Sequence, residues 1–155
     1  TSITGLYAAG EAACTGVHGA NRLASISLLE GLFWGIRCAD RIVDTLEKLP
    51  GSLIESIPKW VTPQVEEAFD PVLVNQDFRT LQSTMWNYAG IIRSHKRLLR
   101  ALADLDYLSH RIEQFYRGAI LTRRIIELRN SVLTASVIVR AALANPDSKG
   151  CHFIE

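Results

Sequence analysis

The stretch from Gly5 to Glu30, GLYAAGEAACTGVHGANRLASISLLE, gathers the side chains best suited to chemistry in this sequence. Glu11 follows Gly10 directly, His18, Asn21 and Arg22 stand in a turn spaced by glycines, and Ser27 and Leu28 open a helix-forming run. A helix amino terminus offers unpaired N–H groups and about half a positive charge, which suits phosphate, carboxylate or an electron-rich ring. Glycines let the backbone approach such a ligand closely. The residue types and their spacing therefore predict the edge of an anion or cofactor site.

Those side chains need elements to position them. Leu6 to Ala9 predicts a short strand leading into the turn Gly10 to Gly19, and the carboxyl end of a strand is where open α/β folds bind ligands. Ser27 followed three residues later by Glu30 has the spacing of a capping box and predicts the helix start there. Leu28, Leu29, Leu32, Phe33, Ile36, Ala39, Val43 and Leu46 recur at helical spacing, which predicts one buried face, and Pro50-Gly51 is the expected stop.

Pro50, Pro58, Pro63 and Pro71 are four of the five prolines and fall in a segment without sustained periodicity, an irregular connection and candidate boundary. From Asn75 to Ala144 there is no proline. Gly90 and Gly118 divide this run, and Asn145-Pro146 ends it. Phe78, Leu81, Met85 and Tyr88 form one apolar face, Leu98, Leu102 and Leu105 a second, and Ile125, Leu128, Val132 and Val139 a third. Three antiparallel helices result. The expected fold class is mainly α: the C-terminal edge of an α/β domain (one short strand plus a helix, 1–49), a proline-rich connection (50–74), a three-helix bundle (75–145) and a tail (146–155).

Composition narrows the function classes. With 155 residues, 48% hydrophobic, 17 Lys+Arg against 16 Asp+Glu, a net charge of +1 and a mean hydropathy of +0.10, the chain is expected to be globular and argues against disorder and a nucleic-acid coat. Leu28 to Ile36 is the most apolar stretch, but it contains Glu30 and ends at Arg37, short of the roughly 20 apolar residues of a membrane span. Cys14, Cys38 and Cys151 form neither a disulfide framework nor a zinc ribbon by spacing, so no metal site is expected and a reducing compartment is the default. The chain starts without Met and runs straight into a strand-like segment, so a piece of a longer polypeptide is expected.

GLYAAGE, HGANRLAS and SLLE resemble the C-terminal end of the FAD-binding domain in the flavoprotein family of succinate dehydrogenase, fumarate reductase and L-aspartate oxidase. MWNYAGIIRSHKRLLRAL, IELRNSVLTASVIVRAAL and DSKGCH are most similar to the L-aspartate oxidase branch. The resemblance implies an FAD-dependent oxidation of L-aspartate to iminoaspartate, which opens the aspartate route to NAD. Oxygen or fumarate would be the electron acceptor, quinolinate synthase the recipient of the product, and the cytoplasm or a plastid the location.

The resemblance also implies roles. Glu11 matches the acidic residue that holds the ribityl or ribose region of FAD, and a carboxylate there accepts hydroxyl hydrogen bonds. Ser27 and Leu28 match the pair whose backbone faces the flavin pyrimidine edge, where helix-start amides stabilise charge on the ring. Arg22 matches the arginine that clamps a substrate carboxylate, a task suited to a planar, permanently charged fork. His18 is a secondary substrate-side candidate.

Two positions depart from the family pattern: Ile26 stands where Asn is usual, and Lys149 where the tail has Arg. No G-x-G-x-x-G run is present to cradle a pyrophosphate, and the family's catalytic arginine has no counterpart in these residues. No catalytic residue is expected here, and the chain by itself is expected to be inactive. The alternatives are a fumarate reductase or succinate dehydrogenase flavoprotein fragment, or a non-catalytic helical interaction module.

Other residues have plainer readings. Arg93, Lys96, Arg97 and Arg100 read as a solvated or interdomain face, with Arg93 a candidate for the substrate cleft. Trp34, Trp60 and Trp86 read as packing anchors, and Asp104 and Asp106 as surface.

Overall fold

A computed structural model describes residues 1–46, 55–59 and 70–155, which fall in two units, Thr1–Trp60 and Val61–Glu155. Pro50-Gly51, Trp60 and Pro63 lie outside the described residues.

In the first unit a 3-10 turn, Gly10–Ala12, precedes α1, Ala24–Leu46. The expected strand over Leu6 to Ala9 does not form: Ala9 is extended (φ −141°, ψ 158°), but residues 6–9 find no ladder partner among the described residues. A strand exists only through its pairing. The helix forms where the periodicity places it, yet none of its residues is buried, and Leu28, Leu29, Leu32, Phe33 and Ile36 are all exposed. The pattern made the apolar face; the described residues do not cover it. Phe33 and Trp34 meet edge to face, with ring centroids 5.2 Å apart.

The second unit contains α2 (Pro71–Ala89), β1 (Ile92–Arg93), α3 (His95–Gly118), α4 (Arg123–Leu143) and β2 (Phe153–Ile154). Each helix starts at a side-chain cap: Asp70 accepts from the Val72 amide at 2.8 Å, Ser94 from that of Arg97 and Thr122 from that of Ile125. Because Asp70 caps and Pro71 occupies the first turn, α2 begins ahead of the expected Asn75. Gly90 ends it. A Cβ at that position would stand 2.5 Å from the Trp86 carbonyl oxygen.

Short connections fold successive helices back on one another, and the predicted faces meet in the core. Leu98, Leu105, Ile112, Ile125, Leu128, Val132 and Val139 are fully buried, each contributing about 1.5–3 kcal/mol. Leu81 joins them, and Phe78, Met85, Tyr88 and Leu102 pack at the edge. Asp77 is buried as well, paired with Arg111 of α3.

The tail returns to the bundle. β1 and β2 pair in parallel, Ile92 with Phe153 and Arg93 with Ile154, and the Glu155 amide donates to the Arg93 carbonyl at 2.8 Å. Two-residue strands carry no periodic signal, so the sequence reading missed this pair. Arg93 is half-buried, not on a solvated face. Its Nε donates to the carbonyls of Ala89 (3.2 Å) and Gly90 (2.9 Å), and its Nη1 to Nδ1 of His152 (3.0 Å). It ties the end of α2 to the tail. Trp86 is not a packing anchor, being 75% exposed. Asp104 pairs with Arg100, and Asp106 with Arg140 across to α4. Among the described residues no helix is long and apolar enough to cross a membrane, and no group of three or more His, Cys, Asp or Glu could hold a metal ion.

Candidate functional site

The turn carrying Glu11 lies against α1 because both surfaces lack side chains. Gly10 adopts φ +69°, a conformation that glycine enters without penalty, and a Cβ on Gly31 of α1 would meet the Gly10 Cα at 3.6 Å. Arg22, just ahead of α1, reaches back over this contact. Its Nη2 donates to Glu11 Oε1 at 2.6 Å and its Nε donates to Ser27 Oγ. The Ser27 hydroxyl donates in turn to the Leu23 carbonyl at 3.3 Å.

Beside this chain of contacts, Glu30 receives two donors. Thr15 Oγ1 donates to one carboxylate oxygen and His18 Nε2 pairs with the other, while the Glu30 side chain is only 8% exposed. The Thr15 hydroxyl, then His18 and Arg22, hold the Glu30 carboxyl below the ordinary glutamate value against the opposing effect of desolvation. Glu11, His18, Arg22, Ser27 and Glu30 together line a cavity of about 50 Å³.

Four sequence-predicted residues, Glu11, His18, Arg22 and Ser27, are thus brought together. Leu28 is not among the lining residues and is 80% exposed on α1. The expected capping box does not form: α1 starts at Ala24, so Ser27 sits inside the first turn and Glu30 turns to Thr15 and His18 instead. The unpaired amides of the helix start accordingly precede Ser27, and Ser27 enters the cluster through its hydroxyl. Glu30 and Thr15 were missed as site residues. The signal was available: Thr15, His18, Arg22 and Glu30 are polar residues in one short run, but the capping spacing offered Glu30 a local explanation.

The residues fit one edge of an FAD. Glu11 is an exposed carboxylate able to accept hydroxyl hydrogen bonds. A cavity of about 50 Å³ admits a group the size of a carboxylate, not a flavin ring. No residue run here supplies a pyrophosphate cradle.

Residues 1–28 match a family described as an FAD binding domain, and residues 78–155 match one described as fumarate reductase flavoprotein C-term. The chain is 43% identical over 99% of its length to the L-aspartate oxidase of Acinetobacter baylyi and 41% identical over 99% to that of Pseudomonas aeruginosa. It is 36% identical over 99% to the chloroplastic L-aspartate oxidase of Arabidopsis thaliana. The chain spans 28% of the two bacterial relatives and 26% of the plant one. With half of its residues matched in one continuous block, the chain belongs to the fumarate reductase flavoprotein C-terminal family.

Proposed function

We propose that this chain forms the C-terminal part of an L-aspartate oxidase, supplying the substrate-carboxylate clamp and one edge of the FAD site. The observation that carries this reading is Arg22, held in the turn before α1 by Glu11 and Ser27 in a chain similar over its whole length to L-aspartate oxidases. Two of the five guanidinium N–H donors are engaged by those partners; the remainder can take a carboxylate bidentately. Glu11 and Ser27 then act twice, orienting Arg22 and flanking the flavin, with Leu28 contributing from the next position of α1. His18 lies on the substrate side.

FAD, which Glu11 and Ser27 would flank, would supply the hydride acceptor for oxidation of L-aspartate at its α-carbon. Arg22 binds and orients the substrate for that step through the planar fork of its guanidinium. Oxygen or fumarate takes the electrons, and quinolinate synthase consumes iminoaspartate. The chain contains no pyrophosphate cradle, so turnover requires the polypeptide that the relatives carry beyond this match.

The test joins this chain to the part of the Acinetobacter baylyi enzyme that the match leaves uncovered. The fusion should show flavin absorbance and oxidise L-aspartate. In Arg22→Ala, flavin should stay bound while the KM for L-aspartate rises about 100-fold, the loss of roughly 3 kcal/mol from a charge-assisted pair. An unchanged KM overturns the assignment of Arg22, and oxidation of succinate in preference to L-aspartate overturns the choice of branch.

A further inference from the structure

Glu30 is the most deeply placed charged group of the site, and no role assigned above uses it. Its two oxygens face two different donors from the turn, Thr15 Oγ1 and His18 Nε2, and its side chain is nine-tenths buried. An ionised carboxylate only accepts hydrogen bonds. The proton between Glu30 and His18 therefore belongs to the imidazole. With Nε2–H engaged, a neutral His18 must carry its lone pair on Nδ1.

We propose that Glu30 is a positioning residue: by accepting from Thr15 and His18 together it clamps the turn to α1 and fixes the neutral His18 imidazole as the Nε2–H tautomer, in a set orientation beside Arg22. The chain's own construction supports this. Thr15 and His18 bracket Gly16, at φ +82°, so their side chains are placed by a turn that this carboxylate joins to α1 at two points, alongside the Arg22–Ser27 contact. The depressed protonation of Glu30 keeps it an acceptor at neutral pH. That His18 so held serves a substrate rests on the reading of Arg22 given above; the tautomer itself does not.

Two measurements test it. In the full chain, ¹⁵N-resolved imidazole spectra at about pH 8, above the ordinary histidine range, should show His18 as Nε2–H alone, with a slowly exchanging ring proton. His18→Gln assigns the signal among the four histidines. The proton should exchange freely in Glu30→Leu. In the flavin-loaded fusion, Glu30→Leu should lower kcat/KM for L-aspartate at least tenfold with flavin retained, and Glu30→Gln, which can still accept from His18, should restore most of it. An Nδ1–H or averaged His18 in the wild-type chain overturns the proposal, as does unaltered turnover in Glu30→Leu. A fusion that fails to bind flavin counts against the proposed function instead, and the spectra still decide Glu30.

Discussion

Replacing Arg111 by Met should destabilise the bundle far more than replacing its partner Asp77 by Asn. The two side chains form one ion pair between α2 and α3, but their surroundings differ: Asp77 is 6% exposed and Arg111 42%. Removing the arginine strands a carboxylate where water barely reaches. Uncompensated buried charges cost about 3–5 kcal/mol, and the half-open position vacated by Arg111 admits some water, which places Arg111→Met near the lower end, about 3 kcal/mol. Asp77→Asn leaves an arginine that can hydrate through its exposed half and rest against the Tyr107 ring, whose centroid is 5.6 Å away. That change should cost about 1 kcal/mol, the net value of one hydrogen bond. Urea unfolding followed by helical circular dichroism reads both, and for a unit of this size the difference corresponds to roughly 8–16 °C in Tm. The double variant should be no less stable than Arg111→Met alone. Equal losses in the two single variants, or a larger loss in Asp77→Asn, would refute the argument from asymmetric burial.

Two further outcomes follow from local geometry. Gly90→Ala should cost about 1–3 kcal/mol, because the new Cβ meets backbone at 2.5 Å, whereas Gly118→Ala, which meets nothing within 4 Å, should be neutral or slightly stabilising; thermal melts of the pair separate the two, and equal melts would contradict the clash. Glu113 accepts from Arg129 first and Arg117 second, and these hold its carboxyl below the ordinary value. A depressed folded-state value contributes stability that is present above about pH 4.3 and lost as the pH falls through the folded value. Glu113→Gln should flatten the acid limb of the stability profile in that window, and an unchanged limb would remove Glu113 from the account.

The bundle was legible because its information is local. Leu98, Leu105, Leu128 and Val132 sit at helical spacing, and Gly90 and Gly118 punctuate the run, so periodicity and breakers together place three helices and their core. The starts were less legible: Asp70-Pro71 is a strong cap in retrospect, but it stands in a proline-rich stretch and read as connection. Long-range partners were not legible at all. Nothing in the spacing of Arg93 and His152, or of Asp77 and Arg111, announces that they meet, since a charged residue on a helix has the same pattern whether it finds water or a partner. In the site, residue types marked the Gly-rich turn as a ligand edge and the family resemblance picked out Glu11, His18, Arg22 and Ser27 within it, while Glu30 was hidden by a spacing that fitted a commoner local motif.

The same distinction explains how stability and site are divided along the chain. The second unit holds a full apolar core; the first holds the polar cluster on a helix whose apolar face its described residues leave uncovered. Exposed ion pairs such as Arg22–Glu11 contribute about 0–1 kcal/mol each, so the geometry of the cluster cannot rest on them alone. What constrains it is steric and enclosed: the close approach of Gly10 to Gly31, and the buried Glu30 carboxylate holding Thr15 and His18. Hydrophobic periodicity states which face of α1 is meant for burial and is silent about what buries it. For that reason the face of Leu28, Leu29 and Leu32 could be read from the sequence while its partner could not, and the strand pattern over Leu6 to Ala9 likewise names no ladder partner, none being found among the described residues.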